Sequence, residues 1–183
     1  MRNLVLIFLV VLLGQQNLSA QKTVKVWIVR HAEKLTDNPK DNDPDLSAEG
    51  KERADALFKY LKGQKLDSIF STNYKRTKLT AFQLADKEGI SLKTYNPNNQ
   101  KEFAKQLMAN AKGKKILIVG HSNTIMELIE AFGGTRPFKD LSDDDYDYIF
   151  SLTVKDGKAD VNVDHYGKEH HVKQETAEKP KSR

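Results

Sequence analysis

The sequence predicts a three-layer α/β domain, with a mostly parallel central sheet between helices and an antiparallel hairpin at its C-terminal end. Three observations carry this. Strand-like runs at Val24 to Val29, Leu66 to Phe70 and Ile116 to Val119 alternate with longer stretches whose apolar residues recur at helical spacing. Ile116-Leu117-Ile118-Val119 is apolar throughout, as in a strand covered on both faces. Two later strand-like runs flank Asp156-Gly157, a strong hairpin turn.

In the first strand Val24, Val26 and Ile28 alternate with Lys25, Trp27 and Val29, and the run ends abruptly in Arg30-His31. A polar loop from Leu35 to Leu46 follows, with Pro39, Pro44 and the aspartates Asp37, Asp41, Asp43 and Asp45. It is long for a compact domain, a length that often marks a functional loop. Ser47 reads as an N-cap for a helix over 48–62, with Ala54, Leu57, Phe58 and Leu61 inward and Gly63 closing it. After the second strand, Ser71 to Thr77 opens a helix to about Lys87, with Leu79, Phe82 and Ala85 expected on one face.

A short strand is expected over Ile90 to Thr94 and a turn over Tyr95 to Asn99. Phe103, Leu107, Met108 and Ala111 define a third helix. The apolar strand ends in Gly120-His121-Ser122-Asn123, and a fourth helix places Ile125, Leu128, Ile129 and Phe132 inward before Gly133-Gly134 stops it. Asp143-Asp144-Asp145 makes an acidic turn, and Tyr148 to Val154 pairs with Ala159 to Asp164 in the hairpin.

The ends of the chain read differently. Arg2 precedes an apolar run, Leu4 to Leu13, too short to span a bilayer, and Ser19-Ala20 closes it with small residues. Residues 1–20 are therefore expected to be a signal peptide cut near Ala20, giving an exported protein with no membrane span. Residues 21–166 form the domain. Residues 167–183 are polar and charged and are expected to be disordered. His165, His170 and His171 consequently lack a fold to hold them as a metal tract, and no metal site is expected.

Composition narrows the chemistry. The chain of 183 residues has no cysteine, which excludes disulfides, thiolate metal sites and cysteine nucleophiles. Residues 21–183 carry a net charge of +4 with basic residues spread out, so no nucleic-acid footprint is visible. Oligomeric state is not legible.

Three strand ends carry chemistry: Arg30-His31, Ser71 to Arg76, and His121. Parallel strands share an edge, so two arginines and two histidines converge there on an anion pocket. Guanidinium forks match phosphate oxygens. Gly120-His121-Ser122-Asn123 is not a nucleophile elbow, because no second glycine follows the serine at the required spacing.

Arg30-His31-Ala32-Glu33 resembles the Arg-His-Gly-Glu signature of the histidine phosphatase superfamily, with its phosphoglycerate-mutase-like fold. Leu46-Ser47, Gly50 and Arg53-Ala54 resemble the start of that family's first helix. Ser71-Thr72, Arg76-Thr77 and Thr80-Ala81 resemble its second motif, and Gly120-His121-Ser122 its third. Ala32 departs from the usual glycine and puts the backbone beside the histidine in question.

The resemblance implies a metal- and cofactor-independent phosphatase acting on a small phosphorylated substrate or a phosphoprotein. His31 would attack phosphorus, and Arg30, Arg76, His121 and Lys34 would bind phosphate. The neighbouring cations would keep His31 neutral. The general acid is open between Glu33, Glu102 and no dedicated acid. Without one, phosphoramidates, acyl phosphates and aryl phosphates are favoured. Two other readings stand beside it: a catalytically weak phosphate- or phosphoprotein-binding module on the same scaffold, and a phosphoglycerate-type mutase. The cofactor-dependent mutases are larger, and export suits glycolysis poorly.

Overall fold

The computed structural model describes residues 23–172; the expected leader at residues 1–20 and the last part of the expected tail, residues 173–183, lie outside them. The strands are β1 (Val24–Arg30), β2 (Ser68–Ser71), β3 (Leu92–Thr94), β4 (Lys115–Gly120), β5 (Tyr148–Lys155) and β6 (Lys158–His165). They form one six-stranded sheet in the order β3-β2-β4-β1-β5-β6. β3, β2, β4 and β1 run parallel, and β5 and β6 add an antiparallel hairpin beside β1. The mostly parallel sheet with a terminal hairpin is the architecture the periodicity predicts.

Side-chain alternation decides which helices cover which face. On one face Trp27 and Val29 of β1 and Leu117 and Val119 of β4 pack on α1 (Ala48–Leu61) and α2 (Lys75–Glu88). On the other, Val26, Ile28, Ile116 and Ile118 pack on α3 (Gln100–Asn110) and α4 (Ser122–Ala131). Each fully buried aliphatic side chain contributes about 1.5–3 kcal/mol, so the central strands β1 and β4 anchor both layers. No helix among the described residues is long and apolar enough to cross a membrane.

Local signals place α1. The Ser47 side chain accepts from the Gly50 amide at 3.1 Å. Gly50 is required by close approach, because a Cβ there would sit 2.0 Å from the Glu33 carbonyl oxygen. That contact seats the first turn of α1 against the chain leaving β1.

Two expectations are corrected. Phe82 was expected on the inner face of its helix and is 57% exposed. α2 instead buries Thr77, Thr80, Ala81, Leu84 and Ala85, because the two threonine hydroxyls have hydrogen-bond partners inside. The second concerns the tail. Residues 167–172 are held rather than loose. Arg53 donates to the carbonyls of Tyr166 and Lys168 at 3.0 Å each. The His170 amide donates to Asp147 Oδ2 at 3.1 Å, the Val172 amide to Asp145 Oδ1 at 2.9 Å, and the Tyr146 amide to the His170 carbonyl at 2.9 Å. Polar partners order this segment where apolar content alone would not.

Candidate active site

The register brings the predicted strand ends together. Arg30 pairs with Gly120 across β1 and β4, and Ser71 pairs with Val119 across β2 and β4. Arg30-His31, Thr72 and His121 therefore leave one edge of the sheet side by side, at the C-terminal ends of adjacent parallel strands. The His31 amide donates to the Gly120 carbonyl at 2.9 Å, continuing the ladder past the last strand residue. Above this edge lies a cleft of about 600 Å³ lined by Arg30, His31, Lys34, Arg76, His121 and Tyr146, among others.

His31 is 5% exposed. Its Nδ1 lies 2.8 Å from the Ala32 carbonyl oxygen, which only accepts, so Nδ1 carries the proton and Nε2 keeps its lone pair. Burial, with Arg30, His121 and Arg76 nearby, pushes its pKa down to about 3. His31 is thus a neutral, oriented imidazole with a free lone pair.

Ala32 answers the question raised by the missing glycine. Among described residues other than glycine, only Lys65 and Asp156 have positive φ, so Ala32 needs no glycine-like backbone. Its methyl packs with Leu46 and Ala54. Its amide donates to Thr80 Oγ1 at 2.8 Å, and Thr80 in turn donates to the Arg76 carbonyl at 2.7 Å. Thr80 thereby links the backbone beside His31 to the turn that carries Arg76.

The His31 and His121 ring centroids lie 5.3 Å apart. His121 Nε2 is 2.8 Å from Thr72 Oγ1, and Thr72 Oγ1 is 3.0 Å from Thr77 Oγ1. Thr77 has one hydroxyl proton and faces the carbonyls of Thr72 and Tyr74 at 3.0 and 2.9 Å. Its proton goes to a carbonyl, so Thr77 accepts from Thr72, and Thr72 accepts from His121 Nε2–H. Burial, then Arg76 and Arg30, push the His121 pKa down to about 4.

The guanidiniums are held by neighbours in and around the cleft wall. Arg30 Nη1 donates to the carbonyls of Ser142, Asp143 and Asp145 at 2.9, 2.9 and 3.2 Å. Its guanidinium stacks on Tyr146 at 3.9 Å from the ring centroid, and Arg76 on Tyr74 at 4.3 Å. Arg76 Nη1 lies 3.7 Å from Asp43, and Asp43 also accepts from the Lys75 amide at 2.9 Å, at the start of α2. Arg30 Nε and Arg76 Nε are buried donors without a partner among the described residues. Two such donors beside a neutral imidazole are the feature of this cleft that asks for an anion.

Glu33 stands elsewhere. It is 7% exposed and locked to Arg53, whose Nε lies 2.9 Å from each carboxylate oxygen and whose Nη2 lies 2.7 Å from Oε1. His170 Nδ1 is also 2.8 Å from Oε1. Burial alone would raise its pKa, but the Arg53 and His170 hydrogen bonds win and hold the carboxyl below its ordinary value. An ionised carboxylate facing Arg53 is not a proton donor, and Glu33 does not line the cleft. Glu102 borders a separate cavity of about 770 Å³ with Phe70, Tyr95 and Phe103, and accepts from Gln106 at 2.8 Å. The carboxylates that line the cleft are Asp143 and Asp144.

Arg30, His31, Lys34, Arg76 and His121 are thus brought together, and Glu33 and Glu102 are not. The structure adds Thr72, Thr77, Thr80, Tyr74, Tyr146, Arg53 and His170 as supports. Thr77 and Thr80 sit three apart on α2, a spacing that marks one helix face. Tyr146 and His170 arrive from more than 100 residues away with no local signal.

A model of the histidine phosphatase superfamily (branch 1) matches residues 26–96. Phosphoserine phosphatase 1 of Hydrogenobacter thermophilus is 40% identical over 74 residues, 38% of this chain and 35% of that protein. The matched stretch therefore spans about a third of that relative's length. Among solved structures, the protein histidine phosphatase SixA complexed with tungstate superposes with a TM-score of 0.62 at 19% identity, over 75% of this chain and 94% of that one. Bacillus stearothermophilus YhfR gives 0.62 at 16% identity, over 76% and 96%. A mycobacterial glucosyl-3-phosphoglycerate phosphatase gives 0.58 at 12% identity, over 79% and 98%. These three share the fold. The family match over residues 26–96, together with the ordered strand-end motifs converging in one cleft, makes that part of the chain similar to the histidine phosphatase superfamily.

Proposed function

We propose that this chain is a phosphatase that passes a phosphoryl group to His31 Nε2 and then to water. The observation that carries it is the state of His31: buried, neutral, its proton fixed on Nδ1 by the Ala32 carbonyl, and flanked by Arg30 and Arg76. Nε2 attacks phosphorus, the P–N bond forms, and the bond to the leaving oxygen or nitrogen breaks. Water then attacks the phosphohistidine and releases phosphate and neutral His31. The guanidiniums and the unpartnered Nε donors hold the equatorial oxygens, with His121, its one proton given to Thr72, shaping the cleft beside them, so catalysis is positioning and charge stabilisation. No step requires a metal.

The substrate class follows from the acid. An alkoxide leaving group needs a proton. Glu33 is salt-bridged and Glu102 borders another cavity, so neither supplies that proton, which favours groups that leave without one. Phosphoramidates such as phosphohistidine, and activated phosphomonoesters, fit this best. Likeness to a protein histidine phosphatase in fold and to a phosphoserine phosphatase in sequence supports a small phosphorylated molecule or a phosphoprotein as substrate. The leader-like sequence of residues 1–20 supports export.

The placement of Glu33 and Glu102 away from the cleft favours a second reading, a phosphate-binding module of weak turnover. Hydrolysis of an aryl phosphate and of phosphohistidine in EDTA, beside His31→Ala, separates the two. EDTA-resistant turnover lost in His31→Ala is the expected result. A folded protein that binds vanadate without turnover overturns the phosphatase reading in favour of the binding module.

A further inference from the structure

Outside the cleft, Asp147, His165 and His171 form a compact cluster with no part in the reaction above. Asp147 immediately precedes β5, His165 ends β6, and His171 belongs to the C-terminal segment. One ligand atom from each lies within 4.8 Å of the other two. His171 Nδ1 is 2.8 Å from Asp147 Oδ2, and His165 Nδ1 is 3.2 Å from Asp147 Oδ1. The two imidazoles stack with centroids 4.4 Å apart.

A second observation points to a ligand. Asp147 is 1% exposed, and its Oδ1 is buried without accepting a hydrogen bond of sound geometry. His165 Nδ1 approaches it at 3.2 Å but off the line a hydrogen bond needs. A buried carboxylate oxygen left in this state is costly, and a cation at the same point would satisfy it. The surroundings suit one. The His170 amide donates to Asp147 Oδ2 at 3.1 Å and orients the carboxylate from behind. Pairing of Tyr148 with His165 across the hairpin sets the height of the His165 ring, which packs tilted against Tyr148 with centroids 4.5 Å apart. The His165 side chain is 44% exposed, so the remaining coordination positions open to solvent.

We propose that Asp147, His165 and His171 bind one divalent transition-metal ion of the zinc class. Two imidazole nitrogens and a carboxylate oxygen are a borderline donor set that suits zinc, nickel or copper and disfavours magnesium and calcium, which take oxygen ligands. Each ring binds the ion through an unprotonated Nδ1 and carries its single proton on Nε2 in the bound state. Asp147 adjoins Tyr146 and His171 adjoins His170, so the ion ties the C-terminal segment to the hairpin next to the residues that reach Arg30 and Glu33.

The test is calorimetric titration of the tag-free full chain with ZnCl2, with MgCl2 as control. One zinc per chain, not displaced by excess magnesium, is expected. His165→Ala and His171→Ala should each weaken binding at least about 10-fold, the smallest loss expected when even an outer-shell partner of a metal is removed. His165→Gln, which keeps the side-chain bulk, should weaken it equally, and circular dichroism should show all three variants folded. His31→Ala should bind zinc as the unaltered chain does. Absence of zinc binding, binding indifferent to both histidine substitutions, or binding lost in His31→Ala overturns the proposal.

Discussion

Arg53 grips Glu33 through three contacts of 2.7–2.9 Å, and both residues are buried, at 4% and 7% exposure. The pair sits between the helix motif and the strand-end motif and fixes the loop that follows His31. Breaking one side leaves a buried charge alone. Arg53→Ala should destabilise the fold by about 3–5 kcal/mol in urea titration, the usual cost of breaking a buried ion pair from one side. It also frees the carbonyls of Tyr166 and Lys168. A loss below about 1 kcal/mol would show that the pair is not structural.

Because Glu33 is paired and ionised, it serves structure and not proton transfer. Glu33→Gln should lower stability but leave the shape of the alkaline limb of the kcat profile unchanged for an aryl phosphate. A limb that moves or disappears in Glu33→Gln would return Glu33 to the role of acid.

Arg76 presents a buried, unpartnered Nε and a planar fork stacked on Tyr74. Lysine supplies the charge but neither the fork nor the stacking surface. Arg76→Lys should reduce kcat by about 100-fold or more, the scale for loss of one preorganised donor to a transition state. Near-full activity in Arg76→Lys would reduce the role of Arg76 to charge alone.

Thr80 accepts the Ala32 amide. Thr80→Val keeps the volume and leaves that buried N–H unpaired, at a cost of about 1–3 kcal/mol in unfolding free energy. It should also lower kcat more than it raises KM, since it moves the backbone that sets the His31 tautomer. An unchanged kcat would separate Thr80 from the positioning of His31.

In the unfolded chain histidine titrates near 6.5, whereas burial and neighbouring arginines hold His31 near 3 and His121 near 4. Between these values the unfolded state takes up protons that the folded state refuses. Stability from these two groups is therefore complete above about pH 6.5 and is lost as pH falls toward 3. The urea midpoint should decline from pH 7 to pH 5, and the ring C–H resonances of His31 and His121 should stay at their neutral positions over that range. A midpoint near 6.5 for either ring would contradict the arrangement.

Much of this molecule is written locally. Alternation in Val24 to Val29 and the unbroken apolar run at Ile116 to Val119 specify buried strands, because a side-chain period of two admits one register against helices on both faces. Strand ends that carry Arg30-His31, Arg76 and His121 imply a shared edge, because parallel strands have only one C-terminal side. Ser47 and Gly50 mark the first turn of α1 by hydrogen bonding and by close approach.

Other features depend on distant partners, and local pattern does not reach them. Glu33 beside His31 reads equally as an acid or a brace, and only Arg53 and His170 decide between these. Phe82 has the spacing of an inward residue, yet Thr77 and Thr80 take the inner face because each hydroxyl finds a partner there. The segment 167–172 lacks the apolar residues that announce order. It is held by Arg53, Asp145 and Asp147, a set of buried polar contacts that exists only once the hairpin has closed beside β1.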